Sequence, residues 1–270
     1  MNVVIVGGGP TGVELAGAIS ELRKHILPND YPDLDVRRMR IHLIEAAPRI
    51  LASMSEEASA KSLKFLEDME IEVWLNTRVE TYNGKVVKAG EYEFNSHTLI
   101  WAAGVQGAPI EGIMAEKISR GKRISVDHFN RVLPYNNVYA IGDVAQVQSE
   151  EAPHGHPMLA QVAMQQGKNL ALNFIKWDKN KEAKPFQYKD LGSMATIGRN
   201  RAVVDLPGFK SQGFFAWFIW MAVHVIQLIG FRNKVLVLVN WMYNYFKYAR
   251  DIRLIIRPFK TKTSDTDQPS

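Results

Sequence analysis

The fold is decided by the stretch VIVGGGPTGVELAG, residues 4–17, in which apolar residues lead through spaced glycines into a helical pattern. The glycine spacing is Gly7-x-Gly9-x-x-Gly12. Gly7 permits a tight turn, Gly9 lets the backbone approach phosphates, and Gly12 lets the helix pack on the strand. The start of the helix offers free N–H groups to an anion. The stretch therefore predicts a strand–turn–helix unit that binds the pyrophosphate of a dinucleotide.

The acid after the second predicted strand indicates which dinucleotide binds. This strand is RIHLIE, residues 40–45, and it ends in Glu45. A carboxylate here accepts hydrogen bonds from the adenosine ribose of NADH and repels the 2′-phosphate of NADPH. Glu45 lies 33 residues after Gly12 because a polar insertion at 28–39 precedes the strand, and Arg49 weakens the preference for NADH. A glycine turn with a purely structural role is the alternative.

The order of apolar and helical patterns predicts an α/β fold with a doubly wound, Rossmann-type nucleotide domain over residues 1–104. Asn83-Gly84 between two short apolar runs is a strong hairpin signal. The expected elements are a strand at 2–6, a helix at 12–27 ended by Pro28, a strand at 40–45, a helix at 55–69, strands at 71–75 and 77–82, the hairpin, and a strand that leads to Gly104.

Two features of this first domain leave alternatives open. Thr11-x-x-Glu14 matches a capping box, so Glu14 is expected either to cap the helix or to face the ligand at the turn. Ala103 and Gly104 follow the last strand, and small residues there let a ligand approach the edge where such sheets bind ligands. A plain turn at that position is the alternative.

Beyond residue 104 the patterns predict a second unit. The expected elements are a strand and turn at 137–145, a helix at 158–176 and a hairpin at 192–206. In the turn, Asp143 follows Gly142 and is expected either to cap a helix or to bind a polyol chain. On the helix, Gln161 and Gln165 lie one turn apart, where they hold a carbonyl ligand or are merely exposed.

Composition excludes several kinds of site. The chain has no cysteine, so it has no disulfide, no thiolate metal site and no redox-active dithiol. His154 and His156 have no neighbouring ligands to complete a metal set, and no metal is expected. Residues 231–262 carry a net charge of +7, which leaves −2 for the remainder of a chain with net charge +5. A basic segment on a near-neutral body indicates an anionic partner surface; a nucleic acid is not expected.

Residues 213–257 predict a pair of amphipathic helices. The 16 residues between Gly213 and Gly230 are mostly apolar, and at roughly 24 Å they are too short for a bilayer core of about 30 Å. Their few polar side chains share one stripe, and so do those of the next segment: Trp217, Trp220, His224 and Gln227, then Asn240, Asn244, Lys247 and Asp251. We expect helices that lie in a membrane interface; core helices or an oligomer contact are the alternative.

Taken in order, the motifs resemble a known family. They are VIVGGGPTGVELAGA, LIEAAPRIL, LIWAAGV, VYAIGDVA, PMLAQVAMQQG and GSMATIGRNRAVV, and they resemble a type II NADH:quinone oxidoreductase. This is the single-subunit, non-proton-pumping flavoenzyme of respiratory membranes. The resemblance covers residues 2–257. The dithiol reductases and the sulfide:quinone branch need cysteines, which this chain lacks.

The resemblance implies hydride transfer from NADH to FAD, followed by reduction of a quinone. It implies that Gly7, Gly9, Gly12 and Glu45 bind NADH, and that Ala103 and Gly104 line its site. It assigns Gly142, Asp143 and Ala160 to the flavin, and Gln161 and Gln165 to the quinone. Glu14 is expected where the nicotinamide and quinone chemistry meet, as a proton donor.

The resemblance also implies an arrangement of segments. Residues 105–212 are expected to form the C-terminal part of an FAD-binding domain, 213–257 a monotopic membrane anchor and 258–270 a disordered tail. The sequence contains one Gly-x-Gly-x-x-Gly, so the region for the ADP half of FAD is expected to be absent. An NADH-binding fragment without redox activity, or a reductase of a soluble partner, is the alternative. The expected location is the cytoplasmic side of a cell inner membrane, where a homodimer is compatible with the motifs.

Overall fold

The structure, a computed structural model, describes residues 2–119, 121–147 and 152–246. Twelve strands and six α-helices are present in these residues. They are β1 (Asn2–Val6), α1 (Pro10–Glu21), α2 (Leu27–Asp30), β2 (Arg40–Ile44), α3 (Glu56–Asp68), β3 (Ile71–Trp74), β4 (Thr81–Tyr82), β5 (Val86–Ala89), β6 (Tyr92–Asn95), β7 (Thr98–Trp101), β8 (Ile124–Val126), β9 (Ala145–Val147), α4 (Ala160–Asp178), β10 (Ser193–Gly198), β11 (Arg201–Leu206), β12 (Phe209–Gln212), α5 (Phe214–Gln227) and α6 (Phe231–Phe246).

The central feature is a parallel sheet of four strands in the order β3-β2-β1-β7. Val6 is in register with Ile44 on one side and with Trp101 on the other. The carboxyl ends of β1, β2 and β7 therefore lie side by side at one edge, as a doubly wound fold requires. The Asn83-Gly84 hairpin joins β4 to β5, and β6 completes the three-stranded meander.

The molecule is layered around this sheet. The meander packs on one face, where Val87 and Phe94 contact Val4 and Val6. On the other face, α1 and α3 lie between the parallel sheet and the antiparallel sheet β10-β11-β12, and one core runs through all three layers. Helix α5 covers the outer face of β11 through Ala216. The antiparallel sheet thus encloses the helices of the nucleotide domain.

Close approach between α1 and β10 depends on a glycine. A Cβ at Gly17 would lie 1.7 Å from the carbonyl oxygen of Ile197, a backbone atom that cannot move aside. Val13 and Ala16, fully buried on the same helix, belong to the core that includes Ile197. The small residues of α1 therefore let a helix lie directly on a strand that comes much later in the sequence.

Several expected boundaries are wrong. The first helix begins at Pro10 rather than residue 12, and it continues beyond residue 21 through a π-helical turn, Leu22–Ile26, into α2. Pro28 does not end it, because Pro28 lies in the first turn of α2, where the missing N–H is not needed. The strand expected at 77–82 is reduced to β4, and β12 extends the expected hairpin to three strands.

The expected strand and turn at 137–145 form differently. Within the part of the chain that the structure describes, residues 138–141 form only an isolated bridge, between Tyr139 and Arg131. A 3-10 turn follows at Gly142–Val144, and the regular strand β9 starts only at Ala145, where it pairs with β8. The helix expected at 158–176 is present as α4, which begins and ends two residues later than expected.

The pair of C-terminal helices is present as α5 and α6. Neither these nor the other helices of the described residues combine the length and the apolar character that crossing a bilayer requires. Residues 247–257 of the expected anchor, with Lys247 and Asp251, and the expected tail at 258–270 lie outside the described residues.

Candidate functional site

The first glycine turn, residues 7–12, lies at the edge where β1, β2 and β7 end. The N–H of Gly7 donates to the carbonyl oxygen of Ile44 at 2.8 Å, which ties the turn to β2. Gly7 has a φ of +109°, and a Cβ there would lie 2.7 Å from backbone atoms of Ala102 and Ala103. Only glycine fits this contact, so the turn is held against the end of β7.

The turn is open where a ligand would lie. An added Cβ at Gly9 would meet no atom within 4 Å. Gly9 is the N-cap of α1, and no side chain caps the helix. The first N–H groups of α1 are therefore available at an open surface, and such groups bind phosphate. By contrast, a Cβ at Gly12 would lie 1.9 Å from the carbonyl oxygen of Gly7, so Gly12 closes the turn against the helix.

The Glu45 carboxylate is held rigidly beside this turn. One oxygen accepts the N–H of Gly8, and the other accepts the N–H of Ala47 at 2.7 Å. A carboxylate oxygen has two lone pairs, so each oxygen keeps one for a ribose hydroxyl. Glu45 thus carries a negative charge in a fixed orientation at the edge of the sheet.

The Arg49 guanidinium makes its hydrogen bonds to the following loop. It donates to the carbonyl oxygens of Ala52 and Met54, each at 2.8 Å. These bonds fold the loop that follows β2 and direct the guanidinium to the loop itself. The nearest arginine to Glu45 in the sequence is therefore committed to a structural role.

Ala103 and Gly104 complete this edge. Both are exposed, Gly104 has a φ of +97°, and a Cβ at Gly104 would meet nothing within 4 Å. The structure therefore brings six of the expected residues to one edge: Gly7, Gly9, Gly12, Glu45, Ala103 and Gly104.

Glu14 faces away from this edge, toward a cavity of about 330 Å³. Its Oε1 accepts the N–H of Thr196 at 3.3 Å. Burial raises the pKa of the Glu14 carboxyl above its ordinary value, against smaller lowering effects of the Thr196 hydrogen bond and His224. The capping box is wrong, because the helix starts at Pro10 and Thr11 is already inside it.

The cavity lies between α1, β10 and the two C-terminal helices. Its walls include two carboxylates of α1 and a set of aromatic rings, which are Glu14, Glu21, Trp217, Trp220, Trp241 and Tyr245. Trp220 stacks on Trp241 with ring centroids 5.8 Å apart. Arg199 donates to the carbonyl oxygen of Tyr245 at 2.8 Å and so ties α6 to the β10–β11 turn. Aromatic walls and one carboxyl of raised pKa suit a flat, weakly polar ligand.

The second glycine turn, Gly142–Ala145, is held by groups that sequence reasoning missed. The N–H of Gly142 donates to Oε1 of the buried Gln166 at 2.6 Å. The buried Arg123 donates to the carbonyl oxygens of Ala145 and, at 2.9 Å, of His156. Burial lowers the pKa of Arg123, against the raising effect of Asp143. No periodic signal marks either residue, because both act on backbone atoms distant in sequence.

Asp143 and Ala160 lie near an uncapped helix start. Helix α4 begins at the exposed Ala160, and its N-cap, Leu159, provides no side-chain hydrogen bond. A Cβ at Gly142 would come within 3.4 Å of the Ala163 side chain, so the turn lies against the first turns of α4. Free helix N–H groups beside a carboxylate form a polar, open corner, which fits the polar part of a flavin.

Gln161 and Gln165 act as backbone clamps. Gln161 donates to the carbonyl oxygen of Gly192 at 3.3 Å and accepts the N–H of Leu191 at 3.1 Å. Gln165 donates to the carbonyl oxygen of Lys189 at 2.8 Å and accepts the N–H of the same lysine at 3.0 Å. Both amides thus fix the segment before β10, and their role toward a quinone stays a prediction.

No metal centre accompanies these sites. Within residues 2–119, 121–147 and 152–246, no three or more His, Asp or Glu side chains converge in a way that could hold a metal ion.

Comparison with known proteins places these features in a family context. Residues 1–167 match the family described as pyridine nucleotide-disulphide oxidoreductase, and residues 191–251 match the NDH2 C-terminal domain. The chain is 35% identical to the type II NADH:quinone oxidoreductase NdhA of Mycobacterium tuberculosis, over 93% of this chain and 55% of that protein.

Two further relatives extend the comparison. The mitochondrial internal alternative NAD(P)H-ubiquinone oxidoreductase A1 of Arabidopsis thaliana is 33% identical, over 94% of this chain and 53% of that protein. The solved NDH2 of Plasmodium falciparum in complex with NADH shares the fold, with a TM-score of 0.82, 20% identity, and coverage of 93% of this chain and 67% of that one. The chain spans about half the length of the curated relatives it matches.

Proposed function

We propose that this chain, which belongs to the type II NADH:quinone oxidoreductase branch of the pyridine nucleotide-disulphide oxidoreductase family, carries the NADH and quinone sites of a non-proton-pumping NADH:quinone oxidoreductase. The observation that carries the proposal is the first glycine turn beside the rigidly held Glu45. An open helix N-terminus binds the pyrophosphate, and Glu45 accepts the ribose hydroxyls.

NADH is preferred over NADPH because the charge at this edge is negative. Glu45 repels a 2′-phosphate, and the Arg49 guanidinium is held by Ala52 and Met54. Ala103 and Gly104 leave room for the remainder of NADH to extend along the edge. The residues of the first domain, 1–104, therefore bind and orient the hydride donor.

FAD fits the second glycine turn through Asp143, the Gly142 backbone and the start of α4 at Ala160. When bound, FAD supplies the two-electron chemistry that links NADH to the quinone. Gln166 and Arg123 hold the turn in shape for it. We assign residues 105–212 to this flavin-side unit.

The cavity beside Glu14 suits the quinone head group. Aromatic rings of α5 and α6 provide its walls, and Glu14 is the carboxyl there whose protonated form is favoured, because burial raises its pKa above the ordinary value. We propose Glu14 as the proton donor to the reduced quinone. Gln161 and Gln165 support the site from α4 by fixing the segment that leads to β10.

Helices α5 and α6 are proposed to lie on a membrane surface. The two helices and the turn between them expose large apolar side chains, including Phe215, Ile226, Ile229, Phe231 and Met242. Their tryptophans turn inward to line the cavity. This helical surface, α5 with α6, would place the quinone cavity next to lipid. The net charge of +7 carried by the sequence of residues 231–262 favours a membrane with anionic head groups. We also propose that the protein lies on the cytoplasmic face of an inner membrane and that it forms a homodimer.

The test is the visible absorption spectrum of the 270-residue chain purified with FAD. We expect flavin bands that bleach on addition of NADH and return on addition of a soluble quinone. A colourless protein that binds NADH would support the proposed NADH site and would refute the proposal that this chain binds flavin. A protein that binds neither would overturn the proposal.

A further inference from the structure

A second cavity, of about 400 Å³, shares Glu21 and Arg199 with the cavity beside Glu14. It lies between the end of α1 with the π-helical turn that follows, the C-terminal end of α3 and the turn that joins β10 to β11. Its volume is in the range of pockets that bind small molecules, roughly 300–1,000 Å³. We name it the charged cavity and define it by six of the residues that line it: Glu21, Lys24, Asp68, Arg199, Asn200 and Arg201.

The opposite charges in this cavity do not neutralise one another. Lys24 and Asp68 are exposed and Arg201 is half-buried, and in the described parts of the chain none of the three forms an ion pair. Glu21 is the second acid, and one of its carboxylate oxygens accepts the backbone N–H of Arg199 at 2.5 Å. Cations and a carboxylate that line one cavity without meeting leave space between them for a ligand that carries both charges.

Asp68 occupies an electrostatically unfavourable position. It is the last residue of α3, and the last turn of this helix has no basic side chain. Because the C-terminal end of a helix carries partial negative charge, a carboxylate there is repelled. Arg23 reaches the same helix end, but its guanidinium donates to the carbonyl oxygen of Met69 and to Glu70. An ammonium group bound at Asp68 would offset the repulsion.

The turn between β10 and β11 gives the cavity a cationic side. Arg199 and Arg201 flank Asn200, and Lys24 lines the cavity from the π-helical turn. The Asn200 Oδ1 accepts the hydroxyl of Tyr245 at 3.3 Å, and the Tyr245 carbonyl oxygen accepts Arg199 at 2.8 Å. The turn is therefore fixed to α6. Guanidinium and ammonium groups that converge from two elements suit a phosphate, which accepts several charge-assisted hydrogen bonds.

We propose that the charged cavity binds a phosphoethanolamine group, with the phosphate at Lys24 and Arg201 and the primary ammonium at Asp68. A carboxylate accepts the N–H groups of a primary ammonium, whereas the quaternary ammonium of phosphocholine has no N–H to donate. The group therefore satisfies both signs of charge at once.

Two sources carry this group: free O-phosphoethanolamine and the head group of phosphatidylethanolamine. The lipid is favoured by the hydrogen bonds of Tyr245, since they join the cavity wall to α6, a part of the helical surface. This choice of source rests on the proposed function, because it takes the helical surface to lie on a membrane. Binding of the free compound does not depend on that proposal.

The first experiment is a titration of the ¹⁵N-labelled 270-residue chain with O-phosphoethanolamine, followed by the backbone amide shifts of residues 20–24 and 199–201. Inorganic phosphate, ethylammonium and phosphocholine are titrated in parallel, because each lacks one half of the recognition. We expect O-phosphoethanolamine to saturate these shifts at about a tenfold lower concentration than any of the three.

Two variants separate the two ends of the ligand. Asp68→Asn should bind O-phosphoethanolamine and inorganic phosphate equally, and Arg201→Gln should bind O-phosphoethanolamine and ethylammonium equally. The matched controls are Asp33→Asn and Arg78→Gln, at exposed positions outside the cavity, and both should bind as the wild type does. If Arg201→Gln loses the native amide shifts of β1 and β2, it has failed to fold, and Lys24→Gln at an exposed position replaces it.

The second experiment identifies the source. Co-sedimentation is measured with vesicles of phosphatidylcholine and phosphatidylglycerol, with and without phosphatidylethanolamine. We expect about tenfold tighter binding to the vesicles that contain phosphatidylethanolamine, and no such difference for Asp68→Asn. Equal binding to both kinds of vesicle, with tight binding of O-phosphoethanolamine in solution, would assign the cavity to the free compound. A chain that binds neither kind would refute the membrane role of the helical surface, and the titration would still decide the cavity.

Two results of the titration would overturn the proposal. In the first, O-phosphoethanolamine binds no more tightly than inorganic phosphate or ethylammonium, or shifts only the amides of the first glycine turn, residues 7–12. In the second, Asp68→Asn and Arg201→Gln keep the full preference of the wild type for O-phosphoethanolamine.

Discussion

The two glycine turns begin with similar sequences and end in different surroundings. VIVGG, residues 4–8, and VYAIG, residues 138–142, are both apolar runs that end in glycine. The first becomes a strand paired on both sides, in register with β2 and β7. The second is extended, and among the described residues it pairs only with 130–132. Two similar apolar runs therefore differ in regularity because the first has a full ladder on both sides and the second has a single bridge.

The helices after the two turns also differ. Helix α1 uses the carboxyl of Glu14 to hold the N–H of Thr196. Helix α4 uses the neutral amides of Gln161, Gln165 and Gln166 to hold other backbone groups. Because a carboxyl titrates and an amide does not, the bond from Glu14 to Thr196 should respond to pH, whereas the bonds made by these three glutamines should not.

The largest effect is expected at Gly12 of the first turn. Gly12→Ala places a Cβ 1.9 Å from the Gly7 carbonyl oxygen, and overpacking against backbone should lower the free energy of unfolding by about 3 kcal/mol. The control is Gly9→Ala, whose Cβ meets nothing within 4 Å. It should unfold like the wild type yet bind NADH about tenfold more weakly, since the methyl group enters the phosphate space. Denaturant unfolding measures the stability of each variant, and calorimetric titration measures its affinity for NADH. Equal stability of the two variants would contradict the close contact between Gly12 and the Gly7 carbonyl oxygen.

Glu45 tests whether the charge of the first turn selects the ligand. Glu45→Gln should weaken NADH binding about tenfold and reduce the discrimination against NADPH, because the repulsion of a 2′-phosphate is gone. Calorimetric titration with each nucleotide measures this. Glu91→Gln, in the exposed turn between β5 and β6, is the control and should change neither affinity. An unchanged NADH:NADPH ratio in Glu45→Gln would exclude Glu45 from selectivity.

Gly142 provides the counterpart of Gly12 in the second turn. It has a φ of +72°, but a Cβ would lie 3.4 Å from Ala163, an ordinary side-chain contact. Gly142→Ala should therefore cost only the backbone strain, about 1 kcal/mol of unfolding free energy. Denaturant unfolding beside Gly12→Ala gives the comparison. A loss as large as that of Gly12→Ala would mean that the second turn is packed as tightly as the first.

The smallest effect is the pH dependence. Burial raises the pKa of Glu14 above the ordinary value of 4.5, so folding favours its protonated form. Its contribution to stability is complete below the unfolded pKa and is lost as the pH rises through the folded pKa. The Tm of Glu14→Gln relative to wild type should therefore increase between about pH 4 and about pH 7. Gln165→Met, the control on α4, should shift the Tm equally at both values; a constant difference for Glu14→Gln would contradict the raised pKa.

Local sequence signals predicted the parts of the molecule that depend on neighbours in sequence. Strand β1, the glycine turn and Glu45 at the end of β2 each follow from spacing alone, and Ser55 caps α3 where the helix was expected. The position of Glu45 relative to Gly8 follows from the parallel register of β1 and β2.

Signals failed where distant segments decide the outcome. Thr11 resembles a cap, but the contact of Glu14 is with Thr196, 182 residues away. Gln161 and Gln165 share a helix face as expected, yet their partners, the backbone of 189–192, are not marked by any pattern. The sequence predicts that Trp217 and Trp220 share one stripe of a helix. That this stripe lines a cavity follows only from the packing of α5 and α6.

The burial of α1 under β10 has a consequence for synthesis of the chain on the ribosome. The contact between Glu14 and Thr196 spans 182 residues, and at 5–20 residues per second translation needs roughly 10–40 s to cover them. During that interval the parallel sheet can assemble, while the outer sides of α1 and α3 have no cover. The nascent nucleotide domain therefore exposes the apolar sides of α1 and α3 to solvent. A chaperone that covers these two helices until β10 is synthesised should raise the yield of native protein.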